Sequence, residues 1–309
     1  MGANLLILGL QAIPRLAEKF DVNLKGFLTF SSLYGKTAEE FRKASDDCEK
    51  ILTHLFEKHR VSWWDVYLNS DIGMERMALA RDMGLERGDT VLEIGCGRGY
   101  FTVAAAKFSE RVIGLDIMNG ASRYGWWKKF IETIAELDLK QKVMSLKADA
   151  QVIPMKDCSV NKVVAVHCIR NLQNRQAIQN TIREVYRVLK EDGEMIVVEN
   201  IPIARNKAQE AHLAFYNCKC KYDWGDLFYF SKEQVLEMFR KAGLTEINAK
   251  VVDYNLSATP PIFYLNTSLL EKELVEKAQK EYVDAAEMVR KYGETSPPTL
   301  IIKVTKHTK

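Results

Sequence analysis

Six cysteines among 309 residues are too few for a disulfide scaffold. Charge of one sign is hardly in excess. The 44 Lys and Arg against 41 Asp and Glu leave +3, which does not make a polyanion the default partner. Long apolar runs are lacking too. The longest near the start, Leu5–Leu10, falls far short of the roughly 20 residues a helix needs to cross a bilayer. It does not read as a signal peptide, because no basic residue precedes it and no small-residue cleavage site follows. Neither an internal repeat nor a low-complexity linker is present. What is there is ordinary globular composition: 47% hydrophobic and 28% charged residues exclude disorder and a fibrous fold. The expectation is a soluble cytoplasmic protein with reduced thiols, built as one large domain or two small ones. Leu5–Leu10 then reads as a buried helix or strand, or as a contact for a second copy or a membrane surface.

The texture changes near residue 85. Before it the chain reads helical. Thr37-Ala-Glu-Glu40 is a capping box, followed by apolar residues at helical spacing from Phe41 to Phe56. The aromatic stretch Ser62–Tyr67 comes next, then a helix over about 73–83 ending at Gly84. From Thr90 strands and helices alternate. Strands are predicted at Thr90–Gly95, Arg111–Asp116, Lys142–Lys147, Asn161–His167, Glu194–Glu199, Thr245–Tyr254 and Thr299–Thr305. Helices are predicted at Tyr100–Phe108, Ser122–Leu137 and Arg175–Lys190, in a helix capped by Ser231-Lys-Glu-Gln234 that ends at Gly243, and in one capped by Ser268-Leu-Leu-Glu271 that runs to Tyr292. Such alternation means parallel strands with helices on both faces. Two segments interrupt it, 201–230 and 255–298. In an open α/β sheet the ligand crevice lies at the carboxyl ends of the strands, so both are candidate lids.

The chemistry is concentrated in Val91-Leu-Glu-Ile-Gly-Cys-Gly-Arg-Gly-Tyr100, which follows a predicted strand and opens a predicted helix. Glycines there permit a tight turn and close approach of a ligand to the backbone. The spacing Gly95-x-Gly97-x-Gly99 is not the G-x-G-x-x-G of dinucleotide folds. Glu93 lies two residues before the first glycine, where a carboxylate repels a pyrophosphate and attracts an ammonium group. Asp116 ends the next strand, 19 residues after Gly97, placed to accept both ribose hydroxyl hydrogen bonds. A nucleoside that carries positive charge and no phosphate satisfies all three.

Here the residues resemble the class I S-adenosylmethionine-dependent methyltransferases. The resemblance runs over about 85–243 and includes Lys147-Ala-Asp-Ala150 and Arg183-Glu-Val-Tyr-Arg-Val-Leu-Lys190. Within the class it is most similar to the branch that methylates small molecules. It implies an α/β, Rossmann-like methyltransferase fold: a seven-stranded, mostly parallel sheet whose last strand is antiparallel, with helices on both faces. Residues 1–84 would form a helical N-terminal cap and 85–309 the cofactor-binding core, with lid segments 201–230 and 255–298, the latter a helical insertion before the last strand. The cofactor implied is S-adenosyl-L-methionine. Glu93 and the backbone of Gly95, Cys96, Gly97 and Gly99 would hold its methionine end. Asp116 would hold the ribose, Ile117 would lie against the adenine, Asp149 would accept from the adenine amine, and Ala150 would pack or donate through its backbone. His167 and Cys168 would border the sulfonium and the acceptor, with His167 the best-placed general base. His54, His59 and His212 are alternatives.

For the acceptor the sequence is less explicit. Two aromatic clusters, Trp63, Trp64 and Tyr67, and Tyr216, Tyr222 and Trp224 with their Phe and Tyr neighbours, could line an apolar or planar pocket or pack the cap. Cys218-Lys-Cys220 does not have a zinc spacing, so no metal site is expected. The Asp/Asn-Pro-Pro-aromatic motif of nucleic-acid amine methyltransferases is replaced by His167-Cys-Ile-Arg-Asn171, and the paired glutamates of protein-arginine enzymes are absent from that stretch. A small-molecule acceptor is therefore expected, with no nucleic-acid partner. A protein or RNA acceptor, or a catalytically silent S-adenosylmethionine binder, is the alternative. The long helices also offer an apolar face for a homodimer.

Overall fold

Strand β1 (Thr90–Ile94) lies inside a seven-stranded sheet in the computed structural model, with parallel neighbours β2 (Arg111–Asp116) and β4 (Val160–Val166). β3 (Val143–Lys147) and β5 (Leu189–Asn200) extend the parallel set. β7 (Thr299–Thr305) runs antiparallel between β5 and β6 (Asn248–Val252), giving the order β3-β2-β1-β4-β5-β7-β6. This is the expected mostly parallel sheet with its antiparallel last strand. The structure describes residues 3–117, 126–172, 174–225, 228–242, 244, 246–258, 265–268 and 270–307.

Alternation of side chains across each strand decides which helix covers which face. Leu92 and Ile94 of β1 join Ile182 and Val185 of α7 (Arg175–Val188) and Val235 and Phe239 of α9 (Lys232–Lys241) in one buried cluster. Toward the other face, Phe130 of α6 (Trp126–Glu136) packs where Gly114 of β2 and Gly99 lack a side chain, beside the start of α5 (Tyr100–Phe108). The sheet belongs to one of two compact units, made of 76–201, 229–253 and 299–309.

The other unit comprises 1–75, 202–228 and 254–298. It contains α1 (Ala3–Phe20), α2 (Ala38–His59), α3 (Trp63–Asn69), the first turn of α4 (Asp71–Asp82), α8 (Lys207–Lys219) and α10 (Lys272–Tyr292). Leu5–Leu10 is a segment of α1 in which Leu5, Ile7, Leu8 and Leu10 are buried, so it packs inside its own unit. Polar side chains link the separate segments of this unit. Gln11 donates to the Ser257 carbonyl (2.6 Å), and the Ser257 N–H donates to Asp71 (2.9 Å). Buried Glu294 accepts from the Ser257 hydroxyl and meets Nδ1 of buried His212.

Several boundaries differ from the sequence expectation, each for a local reason. Leu189 and Lys190 leave the helical periodicity because the chain turns extended at Leu189, which pairs with Val160; β5 therefore starts there and α7 ends at Val188. Ser62–Tyr67 forms a helix, α3, with Ser62 and Asp65 as a capping box. Ser268 caps nothing: α10 starts at Lys272 behind Glu271, and the Ser268 N–H instead donates to Asn266. The expected boxes at Thr37/Glu40 and Ser231/Gln234 are both formed. The predicted helix start over 122–125, and Gly243 and Thr245, lie outside the described residues. No described helix is long and apolar enough to cross a membrane.

Candidate cofactor site

The turn after β1 is shaped by what approaches it. Gly95 has φ +69°, and a Cβ built on it would fall 2.2 Å from the Cys168 sulfur, which lies just past β4. Only glycine meets both conditions. Gly99, at φ +84°, caps α5, and a Cβ there would fall 2.9 Å from the Phe130 ring. The N–H groups of Gly95 and Cys96 both donate to the Leu115 carbonyl, at 2.8 and 3.0 Å. The Gly97 N–H donates to the Asp116 carboxylate at 2.9 Å. Those donors are therefore already used, and a phosphate finds none of them.

Glu93 is 2% exposed. It accepts a hydrogen bond from the Thr102 hydroxyl on α5. Burial pushes its carboxyl up to about 8; the Thr102 hydrogen bond and Arg76 work against that rise, while Asp116 adds to it. A buried carboxyl and the Asp116 carboxylate, beside a turn whose Gly95, Cys96 and Gly97 N–H groups are used, match a cationic, phosphate-free nucleoside. The donor set therefore fits S-adenosylmethionine.

The remaining predicted residues sit at the carboxyl ends of neighbouring strands. Ile117, first after β2, is 51% exposed. Past β3, Asp149 accepts from the Gln151 N–H (2.9 Å) and side-chain amide (3.3 Å), beside buried Ala150. His167 follows β4 in the left-handed region, φ +53°, with its N–H donating to the Val198 carbonyl at 2.8 Å. A non-glycine residue held there is strained, and such residues concentrate at functional sites. Cys168 is buried and its thiol is pushed far up by burial and then by Glu199 and Asp116, which favours the neutral thiol.

The six predicted pocket aromatics all lie in the helical unit. On α3, Tyr67 is buried and packs edge-on against half-buried Trp64 (centroids 5.9 Å), while Trp63 meets Phe56 (5.0 Å). On and after α8, Tyr216 is buried, stacks on His212 and meets Trp224 edge-on (5.3 Å). The Tyr222 hydroxyl donates to Glu281 at 2.9 Å.

Three residues absent from the sequence expectation join the site. Glu199, 2% exposed at the end of β5, accepts from the Ile169 N–H (2.8 Å) and from Arg170 (2.9 Å). The Arg170 guanidinium also lies 5.2 Å from the Tyr229 ring centre. The third is Thr102, the partner of Glu93. The signal for Glu199 is an acid closing an apolar strand; Thr102 carries no comparable signal.

Comparison with known proteins agrees. The family model for a methyltransferase domain matches residues 92–197. The chain is 22% identical over 237 residues to a demethylmenaquinone methyltransferase of Anoxybacillus flavithermus, covering 71% of this chain and 91% of the relative. It is 23% identical over 230 residues to a Staphylococcus aureus enzyme of the same name, covering 69% and 85%. Among solved structures, a cyclopropane-fatty-acyl-phospholipid synthase-like protein from Lactobacillus casei shares the fold. Its TM-score is 0.56 at 14% identity, covering 78% of this chain and 92% of that one. The chain carries a methyltransferase domain over residues 92–197, and S-adenosylmethionine is the cofactor it binds.

Proposed function

We propose that the chain methylates a small-molecule acceptor at the carboxyl ends of β1, β4 and β5. The support is the acid pair Glu93 and Asp116 at the glycine turn, in a chain whose relatives are named for a small-molecule acceptor. S-adenosylmethionine supplies a methyl group already activated on a sulfonium, so the protein's tasks are positioning and exclusion of water.

In this reading Asp116 accepts from the ribose hydroxyls while its other contact, the Gly97 N–H, fixes the carboxylate. The Gly95 and Gly97 carbonyls take the ammonium, and Cys96 and Gly99 shape the turn around them. Glu93 acts from behind the turn: it is drawn to its ionised form by the positive charge in front of it and holds α5 through Thr102. Ile117 covers the adenine, Asp149 accepts from its amine, and Ala150 closes the floor. His167 takes the acceptor proton where the acceptor carries one.

The test is transfer of labelled methyl from S-adenosylmethionine, first to demethylmenaquinone and then to a metabolite extract. Label in an organic-extractable small molecule supports the reading. Label found only in protein or RNA, or in nothing, overturns it. His167→Asn is expected to lower turnover at least 100-fold at saturating cofactor; unaltered turnover across pH removes His167 as the base.

A further inference from the structure

His167 is held from both sides by the end of β5. Its N–H donates to the Val198 carbonyl at 2.8 Å, so hydrogen bonding between β4 and β5 runs one residue past Val166. The next residue of β5 is Glu199. One of its carboxylate oxygens accepts from the Ile169 N–H at 2.8 Å, and the other accepts from the Arg170 guanidinium at 2.9 Å. The chain then closes on itself. The Asn171 N–H donates to the Cys168 carbonyl at 2.9 Å, and the Leu172 N–H donates to the Ile169 carbonyl at 3.1 Å. The left-handed residue, φ +53°, therefore lies between two pins that come from consecutive residues of one strand.

A conformation of this kind persists only where its surroundings over-determine it. The Val198 pin is an ordinary strand bond, and it leaves the backbone after His167 unspecified. The Glu199 pin lies beyond the turn and fixes it. Released from that pin, His167 can relax to negative φ, which re-aims its side chain. Glu199 is suited to the task. It is 2% exposed, so water does not compete for the Ile169 N–H. It also cannot swing off Ile169 without breaking its charge-assisted bond to Arg170, whose guanidinium is itself held against the Tyr229 ring.

We propose that Glu199 is a positioning residue for methyl transfer: through the Ile169 N–H it holds His167 in the left-handed conformation and so aims its ring. The proposal rests on the role given to His167 above. It makes the end of β5, and not the loop alone, responsible for where that ring points.

The hold is read first without turnover, by amide hydrogen exchange in protein carrying 15N-isoleucine and 15N-histidine. Ile169 and His167 are assigned with Ile169→Val and His167→Asn. The Ile169 amide of the wild type is expected to be protected, although it lies outside the sheet. Glu199→Ala is expected to speed exchange about 30-fold at Ile169 and about tenfold at His167, with Ile113 on β2 exchanging as before. Glu199→Gln keeps an oxygen for the Ile169 N–H and is expected to match the wild type. An unprotected Ile169 amide in the wild type overturns the proposal even where Glu199→Ala fails to fold. Unchanged exchange at His167 in Glu199→Ala overturns it, and so does equal acceleration at Ile113, which means loss of the fold and no local hold. Release in Glu199→Gln as large as in Glu199→Ala also overturns it, because the ion pair and not the Ile169 bond would then be the hold.

Turnover is then compared with demethylmenaquinone at saturating cofactor. Glu199→Ala is expected to lower kcat about 30-fold with KM unchanged, and Glu199→Gln to restore most of it. Added to His167→Asn, Glu199→Ala is expected to cost nothing more. A loss that repeats in full on His167→Asn, or one confined to KM, overturns the assignment. Full turnover in His167→Asn itself overturns the base reading alone, and no turnover in the wild type overturns the acceptor reading alone; in both cases the hold on His167 stands or falls with the exchange.

Discussion

The two units treat buried charge differently. In the helical unit two buried ionisable groups meet complementary ones. Lys219, fully buried on α8, pairs with Asp223 and lies 5.5 Å from the Trp224 ring centre, and His212 meets Glu294, which also holds Ser257. In the sheet unit Glu199 is matched by Arg170, but the Glu93 carboxyl is held up to about 8, chiefly by burial and in addition by Asp116, against the pull of Thr102 and Arg76. A complementary pair is an element of architecture. A carboxyl kept from ionising by burial, beside a glycine turn, is drawn to its charged form by a cation in front of it, and that suits a binding site.

The largest effect should appear where a complementary pair is broken. Lys219→Met removes the cationic partner of Asp223, which keeps the Asn266 N–H, and is expected to lower stability by ~3 kcal/mol, read by urea denaturation; a loss below ~1 kcal/mol would mean the pair is solvated and the contrast is false. Next comes the pH dependence of the sheet unit. The Glu93 carboxyl titrates near 8 in the native protein and near 4.5 once unfolded. Between those values the folded chain holds a proton that the unfolded chain releases, so stability falls as pH rises, by up to about 1.4 kcal/mol per pH unit. Glu93→Gln should flatten that slope in urea titrations at pH 5, 6, 7 and 8; a slope that persists would assign it to another group. Cofactor binding at pH 7 should release a proton in the wild type and none in Glu93→Gln, measured by calorimetry in buffers of different ionisation enthalpy. The smallest effect is Tyr222→Phe, which removes the hydrogen bond to partly exposed Glu281 and should cost about 1 kcal/mol.

The parts that were legible in the sequence are those encoded over a few residues. The turn from Ile94 to Tyr100 needs glycines wherever the chain goes left-handed, and the boxes at Thr37/Glu40 and Ser231/Gln234 close over three residues. The mostly parallel sheet with its antiparallel last strand follows from alternation together with the family resemblance. What stayed hidden is contact between distant positions. Glu93 and Thr102 lie nine residues apart, Glu199 and Arg170 lie 29 apart, and Glu294 lies 37 from Ser257 and 82 from His212. Periodicity misled at Leu189, because an apolar residue that continues a helical face also suits the first position of a buried strand. The box at Ser268 had the right residues, but the chain enters α10 four residues later.

The central claim is that Asp116 and the glycine turn form the cofactor site. Calorimetric titration of S-adenosylmethionine into the wild type and into Asp116→Ala tests it most directly. The carboxylate makes charge-assisted hydrogen bonds worth ~1.5–3 kcal/mol each, so the variant should bind about 100-fold more weakly while its unfolding transition stays cooperative. Wild-type affinity in Asp116→Ala, or no heat from the wild type itself, would contradict the account.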